Sequence, residues 1–172
     1  MRLDTTDPAY RIEPLSARHD RAAFSCGVSP LDSYIQRQAR QDLDRNLAAV
    51  FILTPNGEDV SGFYTLSAQS ISADDLPGDQ ARRLPSLPLP VTLLGRMAIS
   101  QALHGRGLGE FLLMNSLERC LYGSKQVASW AVIVDAKIGA RGFYLKHQFA
   151  PLPSQPDRLF LPMKSIATLF AS

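Results

Sequence analysis

The stretch that decides the fold reads Leu94-Gly95-Arg96-Met97-Ala98-Ile99, Ser100-Gln101-Ala102-Leu103, His104-Gly105-Arg106-Gly107-Leu108-Gly109, Glu110-Phe111-Leu112-Leu113. Val91 to Ser100 has strand character, and Glu110 to Leu121 carries the apolar spacing of a helix that Gly123 ends. Between them three glycines alternate at the mouth of the helix. The first N–H groups there have no intrahelical partner, and a backbone without Cβ atoms can approach a phosphate closely. The positive end of the helix adds to the attraction for an anion. The spacing is Gly-x-Gly-x-Gly, which is neither the dinucleotide Gly-x-Gly-x-x-Gly nor a P-loop, since no Gly-Lys-Ser/Thr follows. Taken in isolation, such a trio is equally a tight strand-to-helix turn that holds nothing.

Upstream, Ser29 to Gln41 predicts a helix capped by Ser29 and opened by Pro30, with Leu31, Tyr34, Ile35 and Gln38-Ala39 on one face and Arg37 and Arg40 on the other. Ala48 to Thr54 and Val60 to Ser67 read as two strands joined through Pro55-Asn56-Gly57, a hairpin. Residues 72 to 90 hold four of the twelve prolines and the pair Arg82-Arg83, and read as an irregular connection. Downstream, Val127 to Val134 is a buried strand, Ile138 to Lys146 a helix and Arg158 to Met163 a final strand. The order is mixed α/β, and no internal repeat or low-complexity tract interrupts it.

The chain has 172 residues, 45% hydrophobic and 20% charged, which suits one globular domain spanning residues 1–172 and excludes general disorder. Apolar runs such as Ala48 to Leu53 are far shorter than a membrane span, and Met1 to Asp7 lack an apolar signal core, so the expectation is a soluble cytoplasmic protein. Two cysteines, Cys26 and Cys120, argue for buried free thiols and against a disulfide framework or a metal site. The net charge of +2 is unevenly spread. Residues 1–95 carry 9 basic and 12 acidic side chains (−3), and residues 96–172 carry 9 basic and 4 acidic (+5), a bias that favours an anionic ligand in the C-terminal half.

Arg96-Met97-Ala98-Ile99 followed by His104-x-x-Gly107-x-Gly109 resembles the acetyl-CoA motif of the GNAT N-acetyltransferases, whose usual form is Arg/Gln-x-x-Gly-x-Gly/Ala after a strand. Asp135-Ala136, Ala140, Phe143-Tyr144 and Phe149 resemble the second half of that fold, with Gln148 where the family usually has glycine. Within the family, Phe24-Ser25-Cys26-Gly27-Val28-Ser29-Pro30-Leu31-Asp32, Gly62-Phe63-Tyr64-Thr65-Leu66-Ser67 and the Leu-Pro-rich run up to Pro90 are similar to toxins of type II toxin–antitoxin systems that acetylate aminoacyl-tRNA.

The resemblance implies a central twisted mixed sheet flanked by helices. It places the pantetheine arm of acetyl-CoA on the backbone of Met97, Ala98 and Ile99, and the pyrophosphate on His104, Gly105, Arg106, Gly107, Leu108 and Gly109. It makes Tyr144 the acid that protonates the departing thiolate. By itself a Phe-Tyr pair is more often core packing. The partners implied are aminoacyl-tRNA, a cognate ribbon-helix-helix antitoxin and a second copy of the chain in a homodimer. The same scaffold would also suit acetylation of a small amine or a protein N-terminus, or a non-catalytic module that binds acyl-CoA.

No general base stands out. Asp135 is either a base or a helix N-cap, and His147 is a base, a nucleic-acid contact or a solvated side chain, with the surface reading preferred. An aminoacyl ester needs little help, because a free α-amine titrates at about 7.7 to 8.0 and water can take its proton. For an RNA substrate the basic pool includes Arg37, Arg40, Arg45 and Arg106. The preferred contacts are Arg82, Arg83, Arg96, Arg141 and Lys146. Arg96 leads, since a charge inside an apolar strand has to be paired or poised for function. No RNA-binding motif of the RRM or KH kind is present, so recognition would go through shape and phosphate.

Overall fold

The computed structural model describes residues 9–137 and 139–171. The reading of Met1 to Asp7 and the helix start at Ile138 lie outside them. Seven strands are hydrogen-bonded in the order β1-β2-β3-β4-β5-β7-β6. They are β1 (Arg11–Pro14), β2 (Ala49–Thr54), β3 (Gly62–Ile71), β4 (Leu89–Ile99), β5 (Ala131–Asp135), β6 (Ala150–Leu152) and β7 (Gln155–Pro162). The helices are α1 (Ser29–Ser33), α2 (Ala39–Asp44), α3 (Gly78–Ala81), α4 (Leu108–Gly123), α5 (Arg141–Lys146) and α6 (Met163–Leu169). The sheet is mixed: β4 and β5 run parallel from Val91↔Ala131 to Leu94↔Val134, while β1–β2, β2–β3, β5–β7 and β6–β7 are antiparallel.

The described residues form two compact units, one from residues 9–67 with Gly95–Ser116 and the other from Ala68–Leu94 with residues 117–137 and 139–171. In the first, α1, a π turn at Tyr34–Gln38 and α2 bury Tyr34, Ile35 and Ala39 among Phe24, Val50, Ile52, Phe63 and Ala98. In the second, Ile71, Leu76, Leu89 and Val91 pack with Ala131, Ile133, Leu152 and Phe160. β3, β4 and α4 each begin in one unit and end in the other.

The β2–β3 hairpin forms where the turn chemistry puts it. Gly57 supplies φ +86°, and the Asn56 side-chain oxygen accepts the N–H groups of Glu58 and Asp59, both at 2.9 Å. Three other expectations are corrected. The helix over 29–41 is not one regular helix, because the π turn interrupts it and Gln38 is exposed. Val28, not Ser29, occupies its N-cap, with no side-chain cap; nearby, the Asp32 carboxylate accepts the Cys26 N–H at 2.8 Å. The strand expected from Val127 begins only at Ala131, since Val127 sits 79% exposed after α4.

One glycine marks a close approach that periodicity does not reveal. A Cβ added to Gly62 would lie 2.8 Å from the Ala98 carbonyl oxygen and 2.8 Å from Ile99 Cδ1. β3 therefore presses directly on the end of β4, and Ser100 N–H donates to Ser61 O at 2.8 Å beside that contact. Overpacking of this kind costs about 1–3 kcal/mol. Gly62→Ala should lower Tm by several degrees in a circular-dichroism melt. Gly123→Ala, which has nothing within 4 Å of the added atom, should not. Equal Tm values for the two variants would show that β3 does not press on β4.

Candidate active site

β4 outruns its parallel ladder. Pairing with β5 ends at Leu94↔Val134, and the strand continues through Gly95 to Ile99. Met97 and Ile99 are half-buried and Ala98 is buried, so this stretch has backbone to offer on a partly covered surface. Its end is tied to the glycine loop by His104, whose Nε2 lies 2.8 Å from the Ile99 carbonyl oxygen. That imidazole turns back to brace the strand.

After the short 3₁₀ turn Gln101–Leu103, Gly105 and Gly107 take φ of +81° and +77°, the left-handed region that glycine enters without strain. Nothing lies within 4 Å of where their Cβ atoms would be, so the glycines answer to backbone conformation and leave open space above the loop. Leu108 and Gly109 then open α4. Among the described residues their N–H groups have no protein acceptor, whereas the Phe111 N–H already reaches Gly107 O at 3.1 Å. An open loop with unpaired amides at the start of a helix of 16 residues suits a pyrophosphate.

Tyr144 lies on α5, in the other unit. Its ring is 8% exposed and meets Phe143 and Phe149 edge-on, with centroids 5.3 and 5.4 Å away. The hydroxyl has no protein partner among the described residues, yet the only fully enclosed side-chain oxygen without one there belongs to Ser16. The ring is therefore sealed while its oxygen opens outward. Burial pushes the phenol up to about 12, so it keeps its proton throughout the physiological range. Phe149 closes the turn after α5 through Gln148, which holds φ +74° where the family's usual residue is glycine.

The two candidate bases are both engaged. Asp135 Oδ1 accepts from Arg158 Nε at 2.7 Å and Oδ2 from Arg158 Nη2 at 3.2 Å, and the N-cap of α5 is Ala140, so the capping alternative for Asp135 fails. His147, half-buried and not the surface side chain expected, places Nδ1 2.8 Å from Phe143 O. Both cysteines are free and buried, with burial pushing Cys26 up to about 11 and Cys120 to about 12, far from nucleophilic. Among the described residues no His, Cys, Asp or Glu group could hold a metal, and no helix is long and apolar enough to cross a membrane.

The basic side chains separate. Arg82 and Arg83 are exposed just after α3, while Arg141, its Nε bonded to Pro156 O at 3.0 Å, and Lys146 stand at the two ends of α5. Arg96 is in the other unit, its guanidinium carbon 3.7 Å from the centroid of the Tyr34 ring. Arg106 is exposed in the glycine loop. A feature that sequence reasoning missed is an open groove of about 550 Å³ that gathers Arg21, Arg37, Arg40 and Arg45, with Asp44 as the acidic side chain in its wall. Three of those arginines recur along one helical run; Arg21 comes from a loop, which periodicity could not have added.

Comparison with known proteins closes the question of kinship. The chain is 34% identical over 156 residues to the tRNA-acetylating toxin of Mycobacterium tuberculosis, covering 90% of this chain and 93% of that protein. The chain belongs to the tRNA-acetylating GNAT toxins. It is also 34% identical to the probable toxin TacT of Sinorhizobium fredii, over 97% of this chain and 99% of the relative. Among solved structures it is similar to AtaT complexed with acetyl-methionyl-tRNAfMet, at 28% identity and a TM-score of 0.88, covering 94% of this chain and 99% of that one. A Tyr-to-Phe variant of AtaT bound to the C-terminus of the antitoxin AtaR and to acetyl-CoA is similar at 27% identity and a TM-score of 0.83, over 95% and 99% of the two chains. No protein-family profile matches the chain. The mixed sheet with its flanking helices is the GNAT fold that the family resemblance implied.

The sealed ring of Tyr144 makes a spectroscopic prediction. In an ultraviolet titration at 295 nm, Tyr144→Phe should remove phenolate absorbance that develops only above about pH 11, leaving the step near pH 10 intact. Loss from the step near pH 10 would mean that the ring is solvated.

Proposed function

We propose that this chain is the toxin of a type II toxin–antitoxin system, acting as a single domain in the cytoplasm, that transfers acetyl from acetyl-CoA to the α-amino group of aminoacyl-tRNA and so blocks translation. The observation that carries this reading is a β4 that leaves its ladder and runs into an open glycine loop with unpaired amides, in a chain related to tRNA-acetylating toxins over nearly its whole length. Met97, Ala98 and Ile99 offer backbone to the pantetheine arm. His104 to Gly109 cradle the pyrophosphate, with the His104 side chain bracing the strand end.

Acetyl-CoA supplies the acetyl group as a thioester. The amine nitrogen bonds to its carbonyl carbon, the carbon–sulfur bond breaks, and the Tyr144 hydroxyl, protonated and without another partner among the described residues, donates to the sulfur. The proton released from nitrogen goes to water, and water returns a proton to the Tyr144 oxygen. A phenol held at about 12 is a weak acid, so Tyr144 donates as charge develops on sulfur and does not ionise in advance. The groove of Arg21, Arg37, Arg40 and Arg45 offers a path for RNA phosphates, and Arg82, Arg83, Arg96, Arg141 and Lys146 are separate candidate phosphate contacts. A ribbon-helix-helix antitoxin silences the toxin, and the active form is a homodimer.

Tyr144→Phe should lower kcat about 10²- to 10⁴-fold, the usual worth of a positioned acid. Acetyl-CoA binding should change little. Induced in cells, the wild type should arrest growth and the variant should not, and mass spectrometry of charged tRNA should show N-acetylation for the wild type alone. Equal growth, or wild-type protein that leaves charged tRNA unmodified, would sink this reading. Because burial raises Tyr144 to about 12, it stays protonated through pH 9, so kcat/KM should rise with deprotonation of the substrate amine at about pH 7 to 8 and then hold level to pH 9. A fall on the alkaline side within that range would point to a different acid.

A further inference from the structure

Arg96 carries an unneutralised charge in an unusual setting. It sits half-buried on β4, next to the Met97–Ile99 stretch, and its N–H donates to the Thr65 side-chain oxygen at 3.1 Å. No carboxylate comes within ion-pair distance of its guanidinium among the described residues. It lies instead over the ring of Tyr34, 3.7 Å from the centroid. A carboxylate would fix this guanidinium and cancel its charge. An aromatic face fixes it and leaves both the charge and the N–H fork available.

The platform is itself held. Tyr34 is 5% exposed and stacks with Phe63, and its hydroxyl donates to Asp42 Oδ2 at 3.0 Å. Asp42 Oδ1 meanwhile accepts from Gln38 Nε2 at 2.9 Å. In an uninterrupted α-helix, at about 100° per residue, Tyr34 and Asp42 would stand about 80° apart around the axis. The π turn at Tyr34–Gln38 absorbs one residue without adding rotation, which brings the two onto one face to within about 20°. The irregularity in the helix is what stacks Asp42, Tyr34 and Arg96 into a column. Burial keeps the Tyr34 phenol protonated, at about 12, so it remains a donor to Asp42.

We propose that Tyr34 and Asp42 are positioning residues that, through the π turn, hold Arg96 as a preorganised receptor for a substrate phosphate. The phosphate comes from the RNA or from the coenzyme, the two phosphate-bearing substrates of the reaction proposed above. Preorganisation matters because an arginine free to swing must lose that freedom when it binds, and the stacked one has already lost it.

The test needs no turnover. Binding of uncharged tRNA is followed by fluorescence anisotropy and binding of CoA by calorimetry, for wild type, Arg96→Gln, Tyr34→Phe, Tyr34→Leu, Asp42→Asn and the double variant Tyr34→Leu/Arg96→Gln. Arg96→Gln should weaken binding of one ligand about tenfold, and that ligand identifies the source of the phosphate. Tyr34→Leu should reproduce most of the loss, and Tyr34→Phe, which keeps the aromatic face, should restore binding to within about threefold of wild type. Asp42→Asn, a near-isosteric change at a half-buried position, covers the case in which Tyr34→Leu fails to fold, and should weaken the same ligand about two- to threefold. In the double variant the losses should not add.

Unchanged binding of both ligands in Arg96→Gln would overturn the proposal. So would losses that add in the double variant, or a Tyr34→Phe as impaired as Tyr34→Leu. A wild type that binds tRNA but never acetylates it would sink the functional reading above and leave this one standing.

Discussion

A strand that runs past the end of its ladder must satisfy its backbone groups some other way, and β4 is such a strand. It pairs with β5 only as far as Leu94↔Val134, then continues to Ile99 under pressure from β3, where Gly62 admits the Ala98 carbonyl at a distance no side chain would allow. His104 then returns to the Ile99 carbonyl and holds the glycine loop to the strand. Strand edge, loop and first turn of α4 follow one another without a break, so one stretch of backbone presents groups for both the arm and the diphosphate of a coenzyme.

Two of the buried phenols, Tyr144 and Tyr34, are handled in contrasting ways. Tyr144 is sealed by Phe143 and Phe149 and keeps a hydroxyl with no partner among the described residues, which suits a proton donor. Tyr34 is sealed by the first unit's core and gives its hydroxyl to Asp42, which suits a platform. Burial raises both to about 12, so the shift alone would not tell the two roles apart. The hydrogen-bond partner does.

Much of this was legible before any coordinates. The Pro55-Asn56-Gly57 turn, the strand entering the glycine loop and the helix leaving it all carry strong local chemistry, and each forms close to where it was read. β1, β6 and α6 carry little local signal because they are short and depend on neighbours: β1 spans four residues of mixed burial and exists by pairing with β2. The strand expected from Val127 failed for the converse reason, since Val and Trp favour strands but pairing with β7 starts only at Ala131↔Pro162.

The sequence by itself determined the fold class and the coenzyme loop, because glycine spacing, helix onset and strand periodicity are properties of neighbours along the chain. Only the tertiary structure decided that Arg96 rests on an aromatic ring, with no carboxylate partner among the described residues, that Asp135 is spent on Arg158, and that Arg21 joins the helical arginines in one groove. Those outcomes depend on side chains distant in sequence meeting in space. The π turn joins the two levels. It occupies a run of residues that reads as ordinary helix, and its position places Tyr34 and Ile35 in a core assembled from Phe24, Phe63 and Ala98.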